Sequence, residues 1–427
     1  MNNRKKRMRS RFQPERRRLL GTAGALASVL MIDSACSTPS STAAAPTPTR
    51  TKPTPTPPSI PGKNITEDDI VSGIVQHMTL DQKLGQMVIV EFYSSTFDTN
   101  LQQMVLTNSI SGVLIENKNG NAQTRAQLVA LNQAMQAHAH IPLFISTDYE
   151  GGLVNELRLI TGERTSESAI GATGNPQVAY DAGHGAAADL KALGLNVNFM
   201  PIVDVLTNPN NPGLPDRTFG SDPTLVTNMG RAYLKGLSTG SVVGCLKHFP
   251  GLGSANLDPH LSLPTMDRSL ATLNSVDLVP YRVLIKEGVA PMVMVTHILN
   301  PELDPKLPTS LSPNVITNML RDQLKFDGVI ICDTLWMGGI SNTYSLSQAA
   351  VLTVKAGTDL ILGPRGPVET NTMLVGLRQA VNSGQISNSQ IDASVTRILR
   401  LKMKYNILPH DLALQLAGMT GTSEKRS

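Results

Sequence analysis

Residues 247–264, KHFPGLGSANLDPHLSLP, concentrate ionisable side chains on a stretch that glycine and proline keep out of a helix. Lys247 and His248 lead it, Gly251 and Gly253 let the chain turn, and Asp258 and His260 flank Pro259. An aspartate two residues from a histidine can accept a hydrogen bond from one ring nitrogen. It thereby orients the other nitrogen and stabilises the imidazolium. With an ordinary pKa of about 6.5, such a histidine suits proton transfer near neutrality. The segment therefore reads as a carrier of general acid/base chemistry, with His260 as the proton-transfer group and Asp258 as its partner. Standing alone, His260 could be a surface-loop histidine. Asp333, at the end of the apolar run GVIICD, could by itself be a helix cap.

These residues need a frame. From Thr66 onward short apolar runs recur, each followed by a helical stretch. The runs are 87–92, 112–115, 142–147, 197–205, 242–249, 291–298, 328–334 and 358–363. Near-continuous apolar strands alternating with helices imply a parallel sheet covered on its faces. Eight such runs predict a single α/β catalytic domain, a (β/α)8 TIM-type barrel, over 66–412. Polar residues gather at the C-terminal ends of the runs: Asp148 and Glu150, Asp204, Lys247 and His248, His297, and Asp333. In a barrel those ends form one face, the face that carries active sites. Thr66 and Thr79 are N-cap candidates for two helices before the first run, and 387–408 reads as an amphipathic closing helix. His297 has no assigned role, and Arg217 has Asp204 and Asp222 as candidate partners.

The N-terminus reads differently. Residues 1–36 predict an export signal, with a basic stretch, Arg16–Arg18 of twin-arginine type, a short apolar run at 19–32, and Cys36 as a candidate for lipidation. Residues 37–65 are rich in Pro, Thr and Ser, a disordered linker composition. Residues 413–427 predict a polar tail. Of 427 residues and a net charge of +4, much of the positive excess lies in the basic leader, so nucleic acid is not an expected partner. Cys245 and Cys332 sit in apolar runs and are expected to be buried and free. No metal-ligand spacing appears, and no cofactor is expected.

The motifs together resemble glycoside hydrolase family 3, in its bacterial β-N-acetylglucosaminidase (β-hexosaminidase) branch with a His–Asp acid/base dyad. KHFPGLG followed by DPH, STDYEGGLVNELR, LGLNVNFMPIVDV, RTFGSDP and FDGVIICDTLWMGG are similar to ordered family motifs. The resemblance runs over roughly 66–410. It implies retaining hydrolysis, with Asp333 as nucleophile, His260 as acid/base, and Asp258 as its partner. Asp148, Arg217, Lys247 and His248 match residues that hold the non-reducing sugar. Lys247 beside the nucleophile would keep Asp333 ionised.

The implied activity is exo-β-N-acetylglucosaminidase action on terminal β-linked GlcNAc of peptidoglycan or chitin-type fragments. The protein would be exported and monomeric, touching a membrane only through an N-terminal lipid. Another exo-β-glycosidase or a phosphorylase on the same barrel, and a non-catalytic sugar-binding lipoprotein, are the competing readings. The sequence departs from the family at Leu252, Ser254, Leu153 and Tyr149. The glycines and length of the dyad loop predict a mobile segment that brings up His260 only with substrate.

Overall fold

The computed structural model describes residues 65–419. The predicted export signal, Cys36, most of the predicted linker and the end of the predicted tail lie outside the described residues. Within them every one of the eight apolar runs contains a strand. These are β1 (Val88–Glu91), β2 (Gly112–Ile115), β3 (Phe144–Thr147), β4 (Val197–Asn198), β5 (Val243–Gly244 continuing as Leu246–Phe249), β6 (Met292–Val295), β7 (Val329–Cys332) and β8 (Ile361–Arg365).

Neighbours among these eight pair in parallel, in chain order, while the short hairpin Tyr149–Gly151/Val154–Asn155 after β3 is antiparallel. β1 pairs with β2 and with β8. β2 pairs with β3, β3 with β4, and β4 with Val243–Gly244. The second half of β5 pairs with β6, and β6 with β7. The bridge Ile331↔Leu360 joins β7 to the start of β8. The circuit of these eight strands is closed, so none of the eight leaves an edge unpaired, and the fold is a (β/α)8 barrel.

Burial on both faces explains the near-continuous apolar strands. Val113, Ile115, Ile145, Val293 and Val329–Ile331 are 0% exposed. The helices between strands, such as Arg125–His138, Pro176–Leu193, Pro223–Ser238 and Leu346–Ala356, form the outer layer. Thr66 and Thr79 cap Glu67–His77 and Leu80–Gln86 through reciprocal capping boxes with Asp69 and Gln82.

Ordered structure runs past the expected boundary at 412. The helix His410–Leu416 follows the closing helix Asn388–Lys404, and its Ala413 is fully buried. Alanine and leucine spacing gives it one apolar face, which a reading of the tail by overall polarity misses. Cys245 and Cys332 are free and buried. Among the described residues no helix is long and apolar enough to cross a membrane.

Candidate active site

The C-terminal ends of the strands frame a cleft of about 360 Å³. Asp148, Arg217, Lys247, His248, His260 and Asp333 all line it. Asp258 lines a narrow pocket of about 40 Å³ that shares Arg217, His248, His260 and Asp333 with the cleft. The predicted residues, far apart in the chain from Asp148 to Asp333, thus line two adjoining pockets.

Lys247, on β5, reaches past the end of β4 to the residues that follow β3. Its Nζ donates to Asp148 Oδ1 and to Glu150 Oε1, each at 2.6 Å. Arg217 donates to the same Glu150 through Nε at 2.7 Å and Nη2 at 2.9 Å. Two cations and two carboxylates therefore form one network. Glu150 is 4% exposed. Burial opposes its charge, but Lys247 and Arg217 outweigh that and bring its carboxyl down to about 2. Burial likewise opposes charge on Lys247 and Arg217, and the facing carboxylates hold both above their ordinary values.

Asp204, after β4, holds the neighbouring His248. Its carboxylate accepts from His248 Nδ1 at 2.7 Å, from His248 N–H at 3.2 Å and from Leu252 N–H at 2.6 Å. It fixes the ring and the start of the loop, leaving His248 Nε2 for the cleft. The loop then passes so close to β4's extension that a Cβ on Gly253 would stand 1.8 Å from Val205 O. Only glycine fits there.

Beyond it, His260 Nδ1 donates to Asp258 Oδ1 at 2.6 Å, with the His260 N–H on the same oxygen at 2.9 Å. The His260 side chain is 60% exposed. The pairing leaves Nε2 as the nitrogen open to substrate. The imidazole and the two N–H contacts hold Asp258 below the usual carboxylate range against the opposing effect of burial.

Asp333 follows β7. Thr334 N–H donates to its Oδ1 at 2.8 Å. Burial pushes the Asp333 carboxyl up, and His297, His248, His260 and the Thr334 N–H together overcome this and hold it below its ordinary value. The expected role of Lys247 is corrected here: its ammonium is committed to Asp148 and Glu150, and histidines face Asp333 instead. His297 is fully buried, with Nδ1 2.6 Å from Ser310 Oγ and Nε2 donating to Thr334 O at 2.9 Å. Burial lowers its pKa. It anchors the residue next to Asp333.

Four charged residues on the far rim were not anticipated. Glu91 ends β1 and accepts from Thr334 Oγ1 at 3.0 Å and from Arg365 Nε at 3.2 Å. The Arg365 guanidinium lies 4.6 Å from the centre of the Trp336 ring. Glu116 follows β2 and pairs with Lys118 at 2.7 Å. Glu91 and Glu116 obey the strand-end rule that found Asp333, and that signal was present in the sequence. Leu252 is buried in the narrow pocket, whereas Leu153 is 75% exposed. Tyr149 turns away from the cleft and donates to Asp189 Oδ2 at 2.7 Å. Among the described residues no group of three or more His, Cys, Asp or Glu is placed to hold a metal ion.

Glu116 gives a test of this electrostatic picture. Burial, with Glu91 and Asp148 nearby, pushes its carboxyl up to about 7 despite Lys118. A folded-state value above the unfolded one means stability present below about 4.5 and lost as pH rises through about 7. Glu116→Gln has no such loss. It is expected to melt about 2 °C or more above wild type at pH 8 and level with it at pH 4.5. An equal offset at both pH values would show that Glu116 is ionised throughout.

Residues 79–401 match the model of the glycosyl hydrolase family 3 N terminal domain. The chain belongs to glycosyl hydrolase family 3. It is 32% identical over 391 residues to Beta-hexosaminidase A of Pseudoalteromonas piscicida, covering 82% of this chain and 65% of that one. The chain thus spans slightly less than two thirds of that relative. Beta-hexosaminidase LpqI of Mycobacterium tuberculosis is 34% identical over 345 residues, covering 78% of this chain and 84% of LpqI. A secreted glycosyl hydrolase of Arthroderma benhamiae is 32% identical over 330 residues, with 75% and 92% covered. The solved family 3 β-N-acetylglucosaminidase from Paenibacillus superposes with a TM-score of 0.73 at 34% identity, covering 80% of this chain and 68% of that one.

Proposed function

We propose that this family 3 protein is a retaining exo-β-N-acetylglucosaminidase that removes terminal β-linked GlcNAc from peptidoglycan or chitin-type fragments. The observation that carries the reading is one cleft lined by a carboxylate held ionised, Asp333, and by a carboxylate-oriented imidazole, His260. Asp333 is the nucleophile. Its oxygen bonds to the anomeric carbon as the glycosidic oxygen leaves. His260 Nε2 gives that oxygen its proton, and Asp258 stabilises the imidazolium before transfer. The neutral ring then takes a proton from a water that attacks the anomeric carbon and releases Asp333.

Lys247, Asp148, Arg217 and His248 present donors and acceptors to the sugar hydroxyls and acetamido group, and Glu150 holds the two cations in place. The names of the β-hexosaminidase relatives support the substrate class. No step draws on a cofactor. The basic and apolar leader and the secreted relative support export.

The full chain is expected to release 4-nitrophenol from its β-GlcNAc conjugate on the order of 10²-fold faster, in kcat/KM, than from the β-glucoside. Proton NMR of the first turnovers should show the β-anomer of GlcNAc. Preference for the glucoside, or an α-anomer as first product, overturns the reading.

A further inference from the structure

The dyad loop is fastened to the segment that follows the nucleophile. Gly338 N–H donates to His260 O at 3.0 Å, and Gly339 N–H to Pro259 O at 3.1 Å. Asn342 Nδ2 donates to Leu261 O at 3.3 Å. Three consecutive carbonyls, centred on His260, are therefore taken by one short stretch, 338–342. Asp333 lies five residues before it.

The two N–H donors come this close because they belong to glycines. A Cβ on Gly338 would stand 2.4 Å from Leu261 O and 3.1 Å from Asn342 Nδ2. One on Gly339 would stand 3.2 Å from Pro259 O and 3.3 Å from His297 Cβ. A backbone oxygen cannot swing aside as a long side chain does. Any side chain at 338 must push the loop away.

We propose that Gly338, Gly339 and Asn342 form a latch that sets the position of His260 relative to Asp333. They are positioning residues. They touch no substrate and act through the backbone that carries the imidazole. In this conformation the loop that carries His260 is docked on 338–342. The inference rests on the reading of His260 as acid/base.

The latch has a signature that a purely structural role lacks. In the first step the C1–O bond breaks, the Asp333–C1 bond forms, and the His260 Nε2 proton moves to the leaving oxygen. A leaving group that is already a weak base departs without that proton. A displaced His260 therefore harms poor leaving groups and spares good ones.

The test uses the full chain with β-GlcNAc conjugates of 2,4-dinitrophenol, 4-nitrophenol and 4-methylumbelliferone, and with chitobiose. For Gly338→Ala, kcat/KM on chitobiose is expected to fall on the order of 10²-fold, and on the dinitrophenyl conjugate by about threefold or less. His260→Ala should show the same slope, more steeply. Asn342→Ala removes one bond and adds no clash, so it should give a shallower slope at wild-type melting temperature. It decides the matter if Gly338→Ala fails to fold. A loss that is uniform across the series, or no loss in folded variants, overturns the latch. A wild type inactive on every conjugate would instead overturn the function proposed above.

Discussion

Asp333→Asn is expected to lower kcat/KM on aryl β-GlcNAc conjugates by about 10⁴-fold or more. The amide keeps the shape of the carboxylate but cannot form the glycosyl ester, so the loss falls on the chemical step. The fold should survive. The Asp333 carboxyl is held below its ordinary value of 3.8. A depressed folded-state value gives stability that is present above that pH and lost as pH falls through the folded value. At pH 7 the Asn variant forgoes only this contribution, and its melting temperature should fall by no more than ~3 °C. Two measurements check the assignment together: steady-state rates of the variant, and the mass of wild type treated with a fluorinated GlcNAc that traps the intermediate. The added sugar should sit on the peptide containing Asp333. An Asn variant with a tenth of wild-type activity, or label on another carboxylate, would remove Asp333 from the role.

The barrel was legible because its strands are buried on both faces. GVLI and VIIC carry no alternation to misread, and each lies wholly inside the core. The placement of Asp333, His260 and Asp258 at the cleft and its side pocket was legible because each sits at a strand end or in a two-residue spacing. What escaped was pairing between segments that follow neighbouring strands. Arg217 had acidic neighbours at 204 and 222, yet its partner is Glu150, 67 positions upstream. Strand order decides that contact, and local spacing carries no trace of it. Glu91 escaped because Phe92 follows it, so the charge reads as part of an apolar run. Glu116 escaped because NKNGNA follows, which reads as a turn. The latch is hidden for a related reason: its donors are backbone groups, and a sequence shows only that glycine stands at 338 and 339.

Glu150→Gln is expected to cost about 3–5 kcal/mol of stability near neutrality, because it leaves two buried cations with Asp148 alone. The amide fills the same volume, so the effect isolates the charge. A melting temperature lower by about 5–10 °C would match it. The pH dependence has a definite sign. The carboxyl is brought from 4.5 to about 2 in the folded protein. Its contribution is therefore present above about 4.5 and is lost as pH falls toward about 2. Wild type and variant should converge over that window, since the variant has nothing there to titrate. Activity should fall on the order of 10²-fold in kcat/KM as well, because Lys247 and Arg217 lose the carboxylate that aims them at the sugar. Glu150→Asp keeps the charge but shortens the reach by one methylene. It should recover most of the stability and only part of the rate. Thermal melts of all three proteins from pH 2.5 to 8 would decide it. A Gln variant as stable as wild type throughout would mean that the two cations are neutralised by Asp148 and solvent, and that Glu150 aims nothing.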